Sequence, residues 1–145
     1  MGDVAQLLTK RTEVEAGPRR VWSIVSDPSY MATWMPGVDR VEAPAPIAID
    51  SSLSLGSGPV EREARIVDLR EPTVMAFRTV NRGVATVYRY EIEGDGNGSV
   101  VTVTIDVRPT SVRGWFVTPL ARRAIRQVDR DHGDRIRSTV LDAPW

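Results

Sequence analysis

The chain has 145 residues, 41% of them hydrophobic and 26% charged, with 19 basic and 19 acidic side chains and no net charge. Such a length reads as one domain spanning residues 1–145, large enough to bury about 68–70% of the surface its unfolded chain exposes. The composition excludes disordered and collagen-like classes, and the balanced charge gives no reason to expect a nucleic-acid partner.

With no cysteine, disulfides, zinc–thiolate sites, iron–sulfur clusters and cysteine nucleophiles are all excluded. The single histidine, His132, leaves no histidine-rich metal site, so neither a metal nor a cofactor is expected. Residues 1–10 lack the basic segment and apolar run of a signal peptide, and no apolar stretch approaches the roughly 18 residues of a membrane span. A cytoplasmic protein without stable membrane insertion is the expectation. Asn97-Gly98-Ser99 matches a glycosylation acceptor but has no secretory route, and Asp95-x-Asn97-x-Ser99 opens like a calcium loop but has Val100 where that loop needs glycine.

Along the chain, Thr12, Val14 and Ala16 alternate at the end of a segment beginning at residue 7, consistent with one face of a strand. Gly17-Pro18 presets a first helical turn, and Val21, Trp22, Ile24 and Val25 follow at helical spacing. Ser26-Asp27-Pro28 stops that helix and opens a second, with Asp27 as cap, and Pro36-Gly37 ends it. Turn chemistry then separates strands over 38–43, 53–56, 61–70, 74–80, 85–93 and 100–107. The last two form the clearest hairpin, because the glycine-rich stretch 94–98 supplies the positive φ that a tight turn requires. Within it, Val101, Val103, Ile105 and Val107 alternate with Thr102, Thr104 and Asp106, giving one buried and one wet face.

Residues 111–141 carry the one long helical pattern, with Leu120, Ala121, Ala124, Ile125, Val128, His132, Ile136 and Val140 at i+3/i+4 spacing. Thr118-Pro119 marks its start or a kink, since proline lacks the donor a helix interior needs. The stretch holds seven arginines against three aspartates, a local excess of four, read as a solvated face with intrahelical ion pairs rather than a lipid or phosphate contact.

A strand, two short helices, six antiparallel strands and a long helix make an α+β protein. One amphipathic helix cannot cover both faces of a seven-stranded sheet, so the sheet curls around it and leaves a cavity. The segment Val21-Trp22-Ser23-Ile24-Val25-Ser26-Asp27-Pro28, followed by Trp34-Met35-Pro36-Gly37-Val38 and Val41-Glu42, resembles the opening of the polyketide cyclase/dehydrase branch of the START-like (SRPBCC, Bet v 1-like) superfamily. The Glu71-Pro72 turn, Phe77, the glycine-rich hairpin and the basic helix follow in that family's order. The resemblance implies a helix-grip fold with a hydrophobic-ligand cavity between the long helix and the curved sheet. It implies no particular activity.

His132 is the candidate catalytic residue, and two readings of it stand: it removes a proton from an acidic methylene, or it packs and bonds to a neighbouring tyrosine or aspartate. Gly133 after it marks a bend or a close backbone approach, or is a helical glycine that is simply tolerated. Tyr88, Tyr90 and Ile92 share one strand face and are expected inside, as is Phe77 with Met75 and Thr79. For residues 61–69 both parities stay open: Val67 inward brings Arg65 and Glu63, whereas Ile66 inward brings Ala64 and Asp68. An inward Arg65 would anchor an anion or carbonyl, because an unpaired buried charge is expensive. Val103, Ile105 and Val128 are expected to supply apolar wall, and Trp34, Met35, Pro36, Trp115 and Phe116 to line a mouth.

The leading expectation is binding of a lipid, polyketide or isoprenoid-like molecule in the cavity. One alternative is a polyketide aromatase/cyclase or dehydratase using His132 with Tyr88 or Arg65, and another is a stress or assembly factor that contacts a protein partner. Whether the protein is an enzyme stays open.

Overall fold

The alternation of branched apolar and polar residues produces a long central hairpin, β6 (Val84–Asp95) and β7 (Gly98–Pro109), turning at Gly96 with a φ of 60°. The computed structural model describes residues 5–128 and 131–144, apart from the side chains of residues 5–7, 127 and 128. Around the hairpin, β1 (Ala5–Val14) returns to pair with β7, while β5 (Val74–Asn81), β4 (Val60–Arg70), β3 (Ser52–Ser57) and β2 (Arg40–Glu42) extend from β6. All seven strands pair antiparallel, in the order β1-β7-β6-β5-β4-β3-β2. Of the expected strands, 38–43 is the one most shortened.

The register sets which side chains reach the core. Met75 lies opposite Tyr90, Phe77 opposite Tyr88, and Tyr88 and Tyr90 opposite Ile105 and Val103, so one apolar face runs unbroken across three strands. In β4 a bulge falls between Ile66 and Asp68. It settles the open parity: Ala64 and Ile66 point inward, and Arg65 is exposed, 3.7 Å from Glu63. Of the two readings, the one that would make Arg65 an inward anchor is therefore ruled out: its guanidinium lies exposed beside the Glu63 carboxylate on the outer face. Beyond the bulge the alternation is reset, and Asp68 meets Arg89 at 2.9 Å, which keeps its carboxylate out of the core.

Pro18 and Pro28 begin α1 (Pro18–Val25) and α2 (Pro28–Trp34), where their missing donors cost nothing, and the Asp27 carboxylate accepts from the Ser29 amide at 2.9 Å. The chain ends in α3 (Val112–Val128) and α4 (His132–Asp142). Thr118-Pro119 is not the helix start; α3 begins seven residues earlier, with Pro119 in its interior. Its inward face is Gly114, Val117, Thr118, Ala121 and Ile125, while Leu120 and Ala124, expected on the buried stripe, are exposed. Among the described residues no intrahelical ion pair is at contact distance, although Asp134 acts on the charge of Arg137 one turn along; Asp129 and Arg130 lie outside the described residues. Asp134 instead meets Lys10, and Arg137 grips Glu15 with two bonds of 3.0 and 2.8 Å, so these pairs tie α4 to the middle of β1 and to the residue just beyond it.

At Gly133 the backbone of α4 lies directly against the Thr12 side chain of the sheet. A Cβ there would collide with the Thr12 hydroxyl on β1, so the close approach expected at this glycine is present. Helix propensity alone makes Gly133→Ala stabilising by about 1 kcal/mol. The packing predicts the opposite sign, a loss of roughly 1–3 kcal/mol in urea denaturation, partly restored by adding Thr12→Ala. A more stable Gly133→Ala protein would contradict this contact.

Candidate functional site

The inward face of the sheet carries an aromatic cluster that α4 closes from one side. Phe77 stacks on Tyr88 with ring centroids 5.0 Å apart, and Trp34, at the end of α2, meets Tyr90 edge-on at 5.1 Å. His132 opens α4 and enters the same cluster, 5.3 Å from the Tyr90 ring and 5.7 Å from Trp34. The Tyr90 hydroxyl and His132 Nε2 share a buried hydrogen bond of 2.9 Å. Because Gly133 lets α4 lie directly on Thr12, the imidazole is carried down to the sheet rather than left at the surface.

Above this pair lies a cavity of about 60 Å³. The floor is Phe77, Thr79, Tyr88, Tyr90 and His132; Met35, Pro36 and Val38 form one wall, and Leu55, Ser57 and Arg62 the other. Since Arg62 is exposed and Pro36, Val38 and Ser57 are half-buried, the space reaches the surface between β3, β4 and the segment after α2. Its volume is that of about two water molecules, well below the roughly 300–1,000 Å³ of ordinary ligand pockets.

Of the expected site residues, the structure brings together Met35, Phe77, Tyr88, Tyr90 and His132 around this cavity. Trp34 is fully buried and supports Tyr90 and His132 from behind, and Val103 and Ile105 are core residues under the floor. Arg65 faces solvent, Trp115 and Phe116 are exposed on α3, and the Val128 side chain lies outside the described residues. The placement of Trp115 and Phe116 at the mouth is thus corrected: Gly114 packs against Gly83, and the side of α3 that carries Gly114, Val117 and Thr118 faces inward. Arg62, Leu55 and Val38 were missed by sequence reasoning. Arg62 was within reach, because an inward Ile66 brings Ala64 and Arg62 to the same face.

Burial holds the His132 imidazole far below its usual value, to about 3, with the positive charge of Arg135 adding to the effect. The ring is therefore neutral at physiological pH. The unfolded chain takes up a proton near pH 6.5 and the folded chain only near 3, so this contribution to stability is complete above pH 6.5 and is lost as pH falls. The carboxyls of Glu15 and Asp68, held below their ordinary range chiefly by bonds from Arg137 and Arg89, lose their contributions only at more acid pH. Between pH 7 and pH 5 the wild-type protein should therefore lose about 2 kcal/mol of unfolding free energy that a His132→Gln variant keeps. Equal losses in parallel urea titrations would mean that the imidazole is not buried neutral.

A family model for polyketide cyclase/dehydrase and lipid transport matches residues 5–140. Among solved structures, norcoclaurine synthase from Thalictrum flavum superposes with a TM-score of 0.69 at 15% identity, over 98% of this chain and 89% of that one. Ara h 8.0201 gives 0.72 at 10% identity, over 97% and 100% of the two chains. Protein BH1534 of Bacillus halodurans gives 0.67 at 16% identity, over 97% and 99%. At such identities the likeness is one of fold. No protein of curated function is similar enough in sequence to count as a relative. The seven-stranded sheet, the paired short helices, the C-terminal helical grip and the match over nearly the whole length agree: the chain belongs to the polyketide cyclase/dehydrase (SRPBCC, Bet v 1-like) family.

Proposed function

We propose that the protein is a cytosolic binding protein, acting as one START-like unit, for a small apolar molecule that carries one polar oxygen. The observation that carries this reading is the buried Tyr90–His132 pair at the floor of a cavity whose other lining mixes apolar and aromatic side chains with Thr79, Ser57 and, at the rim, Arg62. A hydroxyl and a neutral imidazole can donate to or accept from a carbonyl or hydroxyl of the ligand, while Phe77 and Tyr88 offer stacked faces to a ring or chain. A lipid, polyketide or isoprenoid-like compound meets these requirements. The absence of cysteine from the chain suits a reducing compartment, since no disulfide is needed.

Such a ligand needs more room than the cavity of about 60 Å³ offers. Met35 and Pro36 supply it by moving outward: methionine repacks easily, and Gly37, at a φ of 74°, links this wall to β2. Arg62 at the rim then meets the polar end of an elongated ligand or the solvent beside it. The cyclase alternative has less support. Arg65 lies outside, and an imidazole whose conjugate acid has a pKa of about 3 is a weak base for drawing a proton from carbon.

Native mass spectrometry of gently purified protein, followed by fluorescence titration with a flat aromatic ketone such as acetonaphthone, tests the reading. Saturable one-to-one binding is expected, at least ~10-fold weaker in Tyr90→Phe, which removes one polar partner, and in Thr79→Phe, which fills the cavity. Neither a stoichiometric adduct nor saturable binding of any apolar oxygenated probe would refute it, as would undiminished affinity in Thr79→Phe.

A further inference from the structure

The first half of α3 turns an apolar face to solvent. Val112, Trp115, Phe116 and Leu120 are 76%, 57%, 79% and 70% exposed, and with the exposed Pro119 they fall at i, i+3, i+4, i+7 and i+8 on one side of the helix. Continuing along that side come Arg123 and Arg126, both exposed, while Arg113 flanks the opening turn. Residues 112–128 contain four arginines and no acidic residue, although the chain as a whole has no net charge. No ion pair among the described residues engages these arginines. The Asn81–Gly83 turn packs its glycine against Gly114, which places the exposed Arg82 beside the same end of the helix.

We propose that this face of α3 docks on the surface of an anionic lipid bilayer. An apolar edge with an indole and a phenyl ring, bordered by cations with long aliphatic stems, is the pattern of an interfacial helix: the rings enter the boundary between headgroups and acyl chains, and the guanidinium groups meet lipid phosphates. Both components are needed, since neither a short apolar strip nor a handful of charges holds a protein at a membrane alone. The face is a convex ridge, which a fluid bilayer moulds itself around, whereas a folded protein partner would need a matching groove. Docking here is peripheral. No helix among the described residues is long and apolar enough to cross a membrane. The inference stands on the α3 surface and does not depend on what occupies the cavity.

The test is sedimentation of the full chain with vesicles of phosphatidylcholine alone or with one-third phosphatidylglycerol. Binding to the anionic vesicles is expected to be at least ~10-fold tighter than to the neutral ones and to weaken as salt is raised. Trp115→Ser/Phe116→Ser and, separately, Arg123→Glu/Arg126→Glu should each lower it by at least ~10-fold with unchanged circular dichroism, because all four positions are exposed. Should the first pair impair folding, the arginine pair decides. The proposal is overturned by no binding to anionic vesicles, by equal binding to both compositions, or by variants that bind as wild type. It is equally overturned if the face instead mediates self-association, seen as a concentration-dependent dimer that Trp115→Ser/Phe116→Ser abolishes while vesicles stay unbound.

Discussion

The hydrogen bond between Tyr90 and His132 ties the C-terminal helix to the middle of the sheet, and most of the site's chemistry follows from the conditions that bond requires. It forms only where α4 comes down onto the sheet, and α4 comes down because Gly133 has no side chain to hold Thr12 away. Once buried, the imidazole is neutral, and a neutral ring can sit among Trp34, Tyr88 and Tyr90 without a counter-charge. Glycine, tyrosine and histidine therefore act as a unit. One permits the approach, and the other two share a hydrogen bond inside the aromatic cluster.

Around this unit the molecule sorts its charges by place. Asp68 and Arg89 pair on the outer face of the sheet, Arg137 and Glu15 join α4 to the segment after β1, and Arg20 donates to the carbonyl oxygens of Ala143 and Pro144 at 2.7 and 2.9 Å. Each contact is at or near the surface and stabilises modestly: the first joins β4 to β6, and the other two bear on how α4 lies over the cavity. α3 differs in kind. Its arginines sit beside exposed aromatic rings instead of beside carboxylates, so the two C-terminal helices divide the work: α4 closes the site, and α3 presents a surface.

Much of this was legible in the sequence, for reasons that differ by element. The β6–β7 hairpin announces itself because strict alternation and a glycine-rich turn agree, and that alternation places Tyr88, Tyr90, Val103 and Ile105 on the inner face. β4 was ambiguous because its bulge changes the face halfway along, and a period-two reading cannot represent two parities in one strand. That is why Arg65 could be drawn toward the interior and Arg62 overlooked. In α3 the apolar residues lie on two sides of the helix, so the spacing that located the helix could not say which side is buried. Cavity size was out of reach for a different reason, since it depends on how Met35, Pro36 and Phe77 fill the space above Tyr90.

The claim on which the rest depends is that the imidazole is buried, neutral and bonded to Tyr90 at the floor of a binding site. Having one histidine, the protein gives a single set of imidazole signals. Long-range proton–nitrogen NMR of that ring, from pH 7 to pH 5, reads its state directly. The account predicts one fixed neutral tautomer throughout, altered by Tyr90→Phe and by a bound apolar ketone. A ring that titrates near its ordinary pKa of about 6.5 and ignores both changes would contradict it.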